Sequence, residues 1–190
     1  MPDPRRLKLA FIGSHGVGKT TLCYGLAARL KARDHAVEVV HEVARRCPLP
    51  INEETSVASE SWIVHTQIAE EILAQHRYAV VVCDRSVLDN YVYLLLAAPP
   101  RPELEPLIDL WMATYDLLVH VPIVERPSPD GIRSADPAFQ HAVEERLDRE
   151  LDRRGLSALR LGAGDRAGWL DAVEAAAAER LRPDQLRIPI

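Results

Sequence analysis

The chain has little of what usually marks a specialised architecture. Its 190 residues include only three cysteines. Cys23, Cys47 and Cys83 are scattered and form no CxxC pair. That excludes a disulfide framework and predicts reduced, mostly buried thiols in a cytoplasmic protein. The seven histidines show no metal-ligand spacing, so no zinc site is expected. The formal net charge of -5 argues against nucleic acid as a partner, although a local basic groove stays open. The start, Met1 to Arg6, is followed by no long apolar stretch, so neither a signal peptide nor a membrane span is expected. Repeats and linkers are also missing. Residues 1–190 read as one domain with a sizeable core.

What is present is concentrated in Gly13-Ser14-His15-Gly16-Val17-Gly18-Lys19-Thr20. This is a complete G-x-x-x-x-G-K-T phosphate-binding loop, preceded by the apolar run 7–12 and followed by a helical stretch from 19 to 33. Strand, glycine loop and helix form the context the motif requires. Successive N–H groups from Gly13 to Thr21 curl around a β-phosphate, and the helix N-terminus adds partial positive charge. Lys19 reaches the β- and γ-phosphates and the Thr20 hydroxyl ligates Mg2+. His15 is expected to matter through its backbone.

The remaining pattern alternates strands and helices. Strands are expected at 36–41, 79–83, 116–121 and 159–161. Helices are expected at 58–76, 87–97, 103–114, 139–154 and 166–180. In the helix at 58–76, Trp62, Thr66, Ala69, Ile72 and Leu73 share one face. The run Ala79 to Cys83 is typical of a central parallel strand covered on both faces. Alternation of this kind predicts a three-layer α/β fold with a parallel sheet. Trp62, Trp111 and Trp169 fall on helices, where core packing is their ordinary role.

In such sheets ligands bind beyond the carboxyl ends of the strands. Asp84, directly after an apolar strand, is the expected metal-side carboxylate; a helix N-cap is its alternative task. Glu42 ends the neighbouring strand and can take a proton from an acceptor hydroxyl, with Asp84 as the competing base. The proline-rich stretch 122–137 carries Arg126, Asp130-Gly131-Ile132-Arg133 and Asp136. It reads as a lid whose arginines close over a γ-phosphate. Arg166 follows a glycine loop and is expected near the adenine end of the nucleotide; a plain helix start capped by Asp165 is the equal alternative. Asp165 to Gly168 spells DxxG, but after the fifth strand, and no NKxD motif accompanies it.

Taken in order, several elements resemble one family. They are G-x-x-x-x-G-K-T-T-L, His41-Glu42-Val43-Ala44-Arg45, Gln67-x-x-Glu70, Asp84-Arg85-Ser86-x-x-Asp89 and Asp130-Gly131-x-Arg133. The set looks like the small P-loop kinases of the ribosylnicotinamide-kinase (NadR-like) type, and more distantly deoxynucleoside and thymidylate kinases. The resemblance covers about residues 7 to 180. It implies a five-stranded sheet ordered 2-3-1-4-5, and ATP with Mg2+ as phosphate donor. It also implies an acceptor between the second and third strand ends. Carried onto this chain, Glu42, Arg45, Gln67 and Asp89 would face the acceptor. Asp84 and Arg85 would sit at the metal and phosphates, and Arg126 and Arg133 would be lid arginines. The expectation is an ATP-dependent transfer to a small nucleoside- or nucleotide-like acceptor. A regulatory NTPase or switch module, and a kinase of polynucleotide 5′-hydroxyl ends, are the alternatives. The acceptor and the oligomeric state are not legible.

Overall fold

The computed structural model describes residues 5–125 and 136–182. Arg126, Asp130, Arg133 and most of the expected lid lie outside the described residues. Five strands form one sheet: β1 (Leu7–Ile12), β2 (Val37–Val40), β3 (Val80–Asp84), β4 (Leu117–His120) and β5 (Leu159–Arg160). Their order is β2-β3-β1-β4-β5, and every pairing is parallel. The helices are α1 (Lys19–Lys31), α2 (Val57–Arg77), α3 (Val87–Ala97), α4 (Glu105–Met112), α5 (Pro137–Arg153) and α6 (Trp169–Leu181). The three-layer α/β fold and the strand order are those expected.

The period-2 geometry of the strands divides the core. Leu7, Leu9 and Phe11 of β1 and Val80 and Val82 of β3 face the layer of α1 and α6. Ala10, Ile12, Val81 and Cys83 face α2 to α5. All these residues are buried, so the central strands are apolar on both faces, as the unbroken run at 79–83 requires. Cys23 and Cys83 are buried free thiols, and Cys47 is half-buried. Among the described residues, no helix is long and apolar enough to cross a membrane.

The expected face of α2 is the wrong one. Ile72, Leu73 and Ala69 are exposed, whereas Ser59, Glu60, Ile63, Val64, Gln67, Glu71 and Ala74 are buried. The buried stripe mixes apolar and polar residues, and its Gln67 and Glu71 carry a network. Glu71 accepts from Lys8 Nζ at 3.0 Å, Trp111 Nε1 at 2.7 Å, Tyr115 Oη at 2.7 Å and Gln67 Nε2 at 2.8 Å. Lys8 and Glu71 are almost fully buried, so each depends on the other for its charge. Short 3₁₀ turns at Val43–Arg46 and Asn52–Glu54 occupy a stretch expected to be irregular.

One close approach fixes the loop that follows β1. Gly13 has φ +133°, and a Cβ there would lie 2.5 Å from the Val121 carbonyl oxygen. Both the conformation and the backbone contact demand glycine. Gly13→Ala is therefore expected to lower unfolding free energy by about 2–3 kcal/mol in denaturant titration. A loss under about 0.5 kcal/mol would mean that the β1–β4 approach is loose.

Candidate phosphate and acceptor site

The strand ends gather the predicted residues. The loop after β1 contributes Gly13 to Thr20, β2 leads to Glu42, and β3 ends at Asp84-Arg85. Gly16 and Gly18 have φ of +77° and +98°, the left-handed geometry that turns N–H groups into a concave nest. α1 begins at once after Gly18 and carries no side-chain cap, so its first N–H groups remain available for an anion. The Thr20 hydroxyl donates to Asp84 Oδ2 at 2.6 Å, which joins the two expected metal-side residues.

Lys19 is folded back on its own loop. Its ammonium donates to the Gly13 carbonyl at 2.7 Å and the Ser14 carbonyl at 2.6 Å. Burial, aided by the Arg85 charge, lowers its pKa to about 8; Asp89, Asp84 and Glu42 oppose the shift. The loop thus holds a buried cation whose hydrogen-bond acceptors are two neutral carbonyls.

Glu42 and Arg85 form a buried ion pair, with Arg85 Nε 2.8 Å from Glu42 Oε1. Arg45 Nε reaches the other carboxylate oxygen at 2.7 Å. Burial alone would push the Glu42 carboxyl up. The charges of Arg85 and Lys19 and the hydrogen bonds from Arg45 and Arg85 prevail, holding it well below the usual carboxylate range. Arg85 itself has φ +104°, a rare conformation for a residue with a side chain. Gln67 Nε2 donates to its carbonyl at 2.9 Å, and its Nη2 reaches the Tyr93 hydroxyl at 3.4 Å. A strained backbone so firmly tied is a feature of functional sites.

Two spaces meet at this pair. A cavity of about 240 Å³ is lined by Gly16 to Thr21, Glu42, Arg45, Asp84 and Arg85. A narrower slot is lined by His15, Ile51, Thr55, Glu60, Ile63 and Tyr93, among others, and again by Glu42, Arg45 and Arg85. A further groove of about 700 Å³ runs from Asp84 and Thr20 along the β2 edge toward Glu70 and Arg77.

Other expected site residues have different tasks here. Asp89 lines neither of the two spaces. Its Oδ1 accepts from Gly13 N at 2.9 Å, and its Oδ2 from Ser86 N and Ser86 Oγ at 3.0 and 2.6 Å. Ser86-x-x-Asp89 is a capping box for α3 that also anchors the phosphate loop. Gln67 is likewise engaged, with Glu71, Arg85 and Asn90. His15 contributes its side chain as well as its backbone: the buried ring packs against Tyr93 and Phe139. Arg166 pairs with Glu125 at 2.8 Å, and its Nη2 lies 4.0 Å from where a Gly18 Cβ would be, at the mouth of the loop.

Several participants went unnoticed in the sequence. Gln140 donates from Nε2 to the His15 carbonyl, and its own carbonyl accepts from Ser14 Oγ; Glu144 accepts from Ser14 N. Glu60 and Tyr93 line the slot. For Glu60 the only signal was its helical register with Val64, Gln67 and Glu71.

This fold and this loop define a P-loop protein of the three-layer α/β class. A family model described as an AAA domain matches residues 8–167, and the chain belongs to that family. No curated protein matches its sequence. Solved structures with the same fold include deoxyadenosine kinase from M. mycoides with bound dATP, at 12% identity and TM-score 0.64. That match covers 91% of this chain and 100% of the other. Thymidylate kinase from Ehrlichia chaffeensis is similar at 16% identity and TM-score 0.65, covering 94% and 100%. A NadR protein in complex with NAD and AMP-PNP is similar at 22% identity and TM-score 0.68. That match covers 97% of this chain but 52% of the NadR chain, so this chain spans about half of it.

The Lys19 geometry yields a stability test. A lysine whose folded pKa is about 8 rather than 10.5 binds fewer protons folded than unfolded between those values. Its penalty is therefore full below about pH 8 and fades as pH rises toward 10.5. Lys19→Met is expected to raise unliganded stability at pH 7 by about 1–2 kcal/mol, after allowing for two lost hydrogen bonds. The gain should vanish near pH 10.5. Destabilisation at pH 7 would show that the ammonium is well satisfied by the loop carbonyls.

Proposed function

We propose that this chain is an ATP-dependent phosphotransferase that moves the γ-phosphate of ATP to a small nucleoside- or nucleotide-like acceptor. The observation carrying this reading is the meeting of two spaces at one ion pair. The phosphate loop lines one, Glu60, Ile63 and Tyr93 line the other, and Glu42, Arg45 and Arg85 belong to both. A hydrolase or a switch needs only the first space. In-line transfer needs both, with charge-bearing groups where they join. The named partners of the structural neighbours, dATP, AMP-PNP and NR, are consistent with it.

The roles follow from position. The nest of Gly16 to Thr21 receives the phosphates. Lys19 leaves the Gly13 and Ser14 carbonyls for the β- and γ-oxygens, exchanging two neutral acceptors for anionic ones. Arg85, with Arg45 beside it, neutralises charge at the transferring group. Arg166 lies toward the nucleotide's outer end. A hard-oxygen pair, Thr20 Oγ1 and Asp84, suits Mg2+, which takes one or two protein oxygens together with phosphates and water. Among the described residues no cluster of three or more His, Cys, Asp or Glu could hold a metal alone, so the phosphates would complete its shell. When bound, the ion would supply neutralisation of phosphate charge.

Glu42 is the better candidate than Asp84 to receive the acceptor's proton. Glu42 lines both the slot and the phosphate cavity, whereas Asp84 lines the phosphate cavity and the β2-edge groove but not the slot, and is tied to Thr20. Its carboxylate stays ionised throughout the neutral range because Arg85, Lys19 and Arg45 surround it. A weak base suffices for a loose transition state, in which the hydroxyl proton leaves late.

The test is turnover of ATP–Mg2+ against a panel of nucleosides and nucleotides. Lys19→Ala is expected to abolish transfer. Glu42→Gln should lower kcat about 10²-fold or more with ATP affinity changed only a few-fold. A Glu42→Gln enzyme with undiminished kcat would remove Glu42 from the proton path. ATP hydrolysis that no acceptor diverts would favour the regulatory NTPase instead.

A further inference from the structure

The wall of the slot beyond Glu42 and Arg85 carries two buried polar atoms that have no hydrogen-bond partner among the described residues. Glu60, in the first turn of α2, is 1% exposed. Its Oε1 has no hydrogen-bond partner among the described residues, and neither has Arg85 Nη1 on the same slot's wall. An unpaired buried polar atom costs on the order of 1–3 kcal/mol, and folded proteins keep few. Two lining one cavity point to a ligand. They do not satisfy each other: Arg85 acts on Glu60 electrostatically, but no ion pair joins them. The guanidinium is already committed to Glu42 through Nε and to Tyr93 through Nη2.

We propose that Glu60 is a specificity-determining residue of the acceptor site, binding the uncharged aminopyrimidine edge of a nucleoside through its protonated carboxyl group. This rests on the phosphotransferase reading, since it names what the second space receives. A carboxylic acid presents an O–H donor beside a C=O acceptor. The edges of adenine and cytosine present a ring-nitrogen acceptor beside an amino donor, so two hydrogen bonds form at once. Arg85 Nη1 takes a further oxygen of the same molecule. Burial pushes the Glu60 carboxyl up to about 8, against the opposing Arg85 charge, so it is uncharged at neutral pH. The other titratable groups on the slot are His15 from the phosphate loop, Glu42 and Arg45 after β2, and Arg85 and Tyr93 at and within α3's approach. Ile51 and Ile63 supply apolar walls.

The slot is narrow. About 30 Å³ of it admits the centre of a water molecule, space for one or two waters. Seating a ring there requires the lining residues Ile51, Asn52 and Thr55 to be displaced.

The experiment is calorimetric titration of adenosine and cytidine into wild type, Glu60→Gln and Glu60→Ala. It is done near pH 6.5 and near pH 9, with the phosphate loop saturated by AMP-PNP and Mg2+. Neither nucleoside titrates over that range. At the lower pH at least one is expected to bind wild type, with Glu60→Gln within about threefold because the amide keeps a donor beside an acceptor. Glu60→Ala should be at least about tenfold weaker. Near pH 9 wild type should weaken about tenfold, the fraction of protonated carboxyl having fallen by that factor, while Glu60→Gln holds. Glu60→Gln also controls for other titrations, Lys19 included. The proposal is overturned if neither nucleoside binds, or if Glu60→Ala binds as wild type does. It is overturned too if wild type tightens at high pH while Glu60→Gln fails, which would assign a carboxylate and a cationic acceptor. AMP-PNP binding is read separately. Proteins that bind AMP-PNP but neither nucleoside lose only the Glu60 assignment; proteins that bind neither lose the phosphotransferase reading as well.

Discussion

The Glu42–Arg85 ion pair, 2.8 Å long and buried on both sides, ties the end of edge strand β2 to the end of central strand β3. Much of the site is arranged around it. Removing two charges from water is costly, and a buried pair is weak evidence for stability. Here the pair brings further demands: Arg45 on the second carboxylate oxygen, Tyr93 on the guanidinium, and Gln67 on the carbonyl of a residue held at φ +104°. Gln67 leads on to Glu71, Lys8, Trp111 and Tyr115. A chain of buried polar groups thus runs from the base of the sheet to its functional end. The bonds at the Arg85 carbonyl, Nε and Nη2 fix its position within narrow limits.

The phosphate loop is anchored from behind by a separate set of contacts. Asp89 accepts the Gly13 N–H, Glu144 accepts the Ser14 N–H, and Gln140 binds the His15 carbonyl. His120 at the end of β4 is 2.9 Å from Glu144. These contacts use the first residues of the loop and leave Gly16 to Thr21 facing the open cavity. Rigid support behind and free N–H groups in front is the arrangement that makes electrostatic binding cheap in reorganisation. Only Lys19 must move, and its depressed pKa records the cost of keeping it where it is.

The sequence made the strands legible because a central parallel strand is apolar on both faces, and Val80 to Cys83 has no other economical use. The phosphate loop was legible because few arrangements besides anion binding use that glycine spacing. The strand order came through family resemblance, since nothing local in β2 says which neighbour it pairs with. α2 was misread for a physical reason: its buried face is built from Ser59, Glu60, Gln67 and Glu71, which periodicity rules score as solvent-facing. Asp89 illustrates a related ambiguity. A capping-box aspartate and a ligand-binding aspartate look alike in sequence, and the observed bonds from Ser86 and Gly13 to its carboxylate separate them. Glu60 is the converse, an acidic side chain with no visible motif that is singled out by the burial of an Oε1 without a hydrogen-bond partner among the described residues.

The most direct test of the account is a structure of the chain with AMP-PNP, Mg2+ and a nucleoside together. The account predicts the triphosphate in the nest of Gly16 to Thr21, with Lys19 Nζ released from the Gly13 and Ser14 carbonyls. It also predicts the acceptor hydroxyl within hydrogen-bond reach of Glu42, on the opposite side of the Glu42–Arg85 pair. A triphosphate seated there while the nucleoside lies at the Glu70 and Arg77 end of the β2-edge groove, with no hydroxyl in hydrogen-bond reach of Glu42, would contradict it.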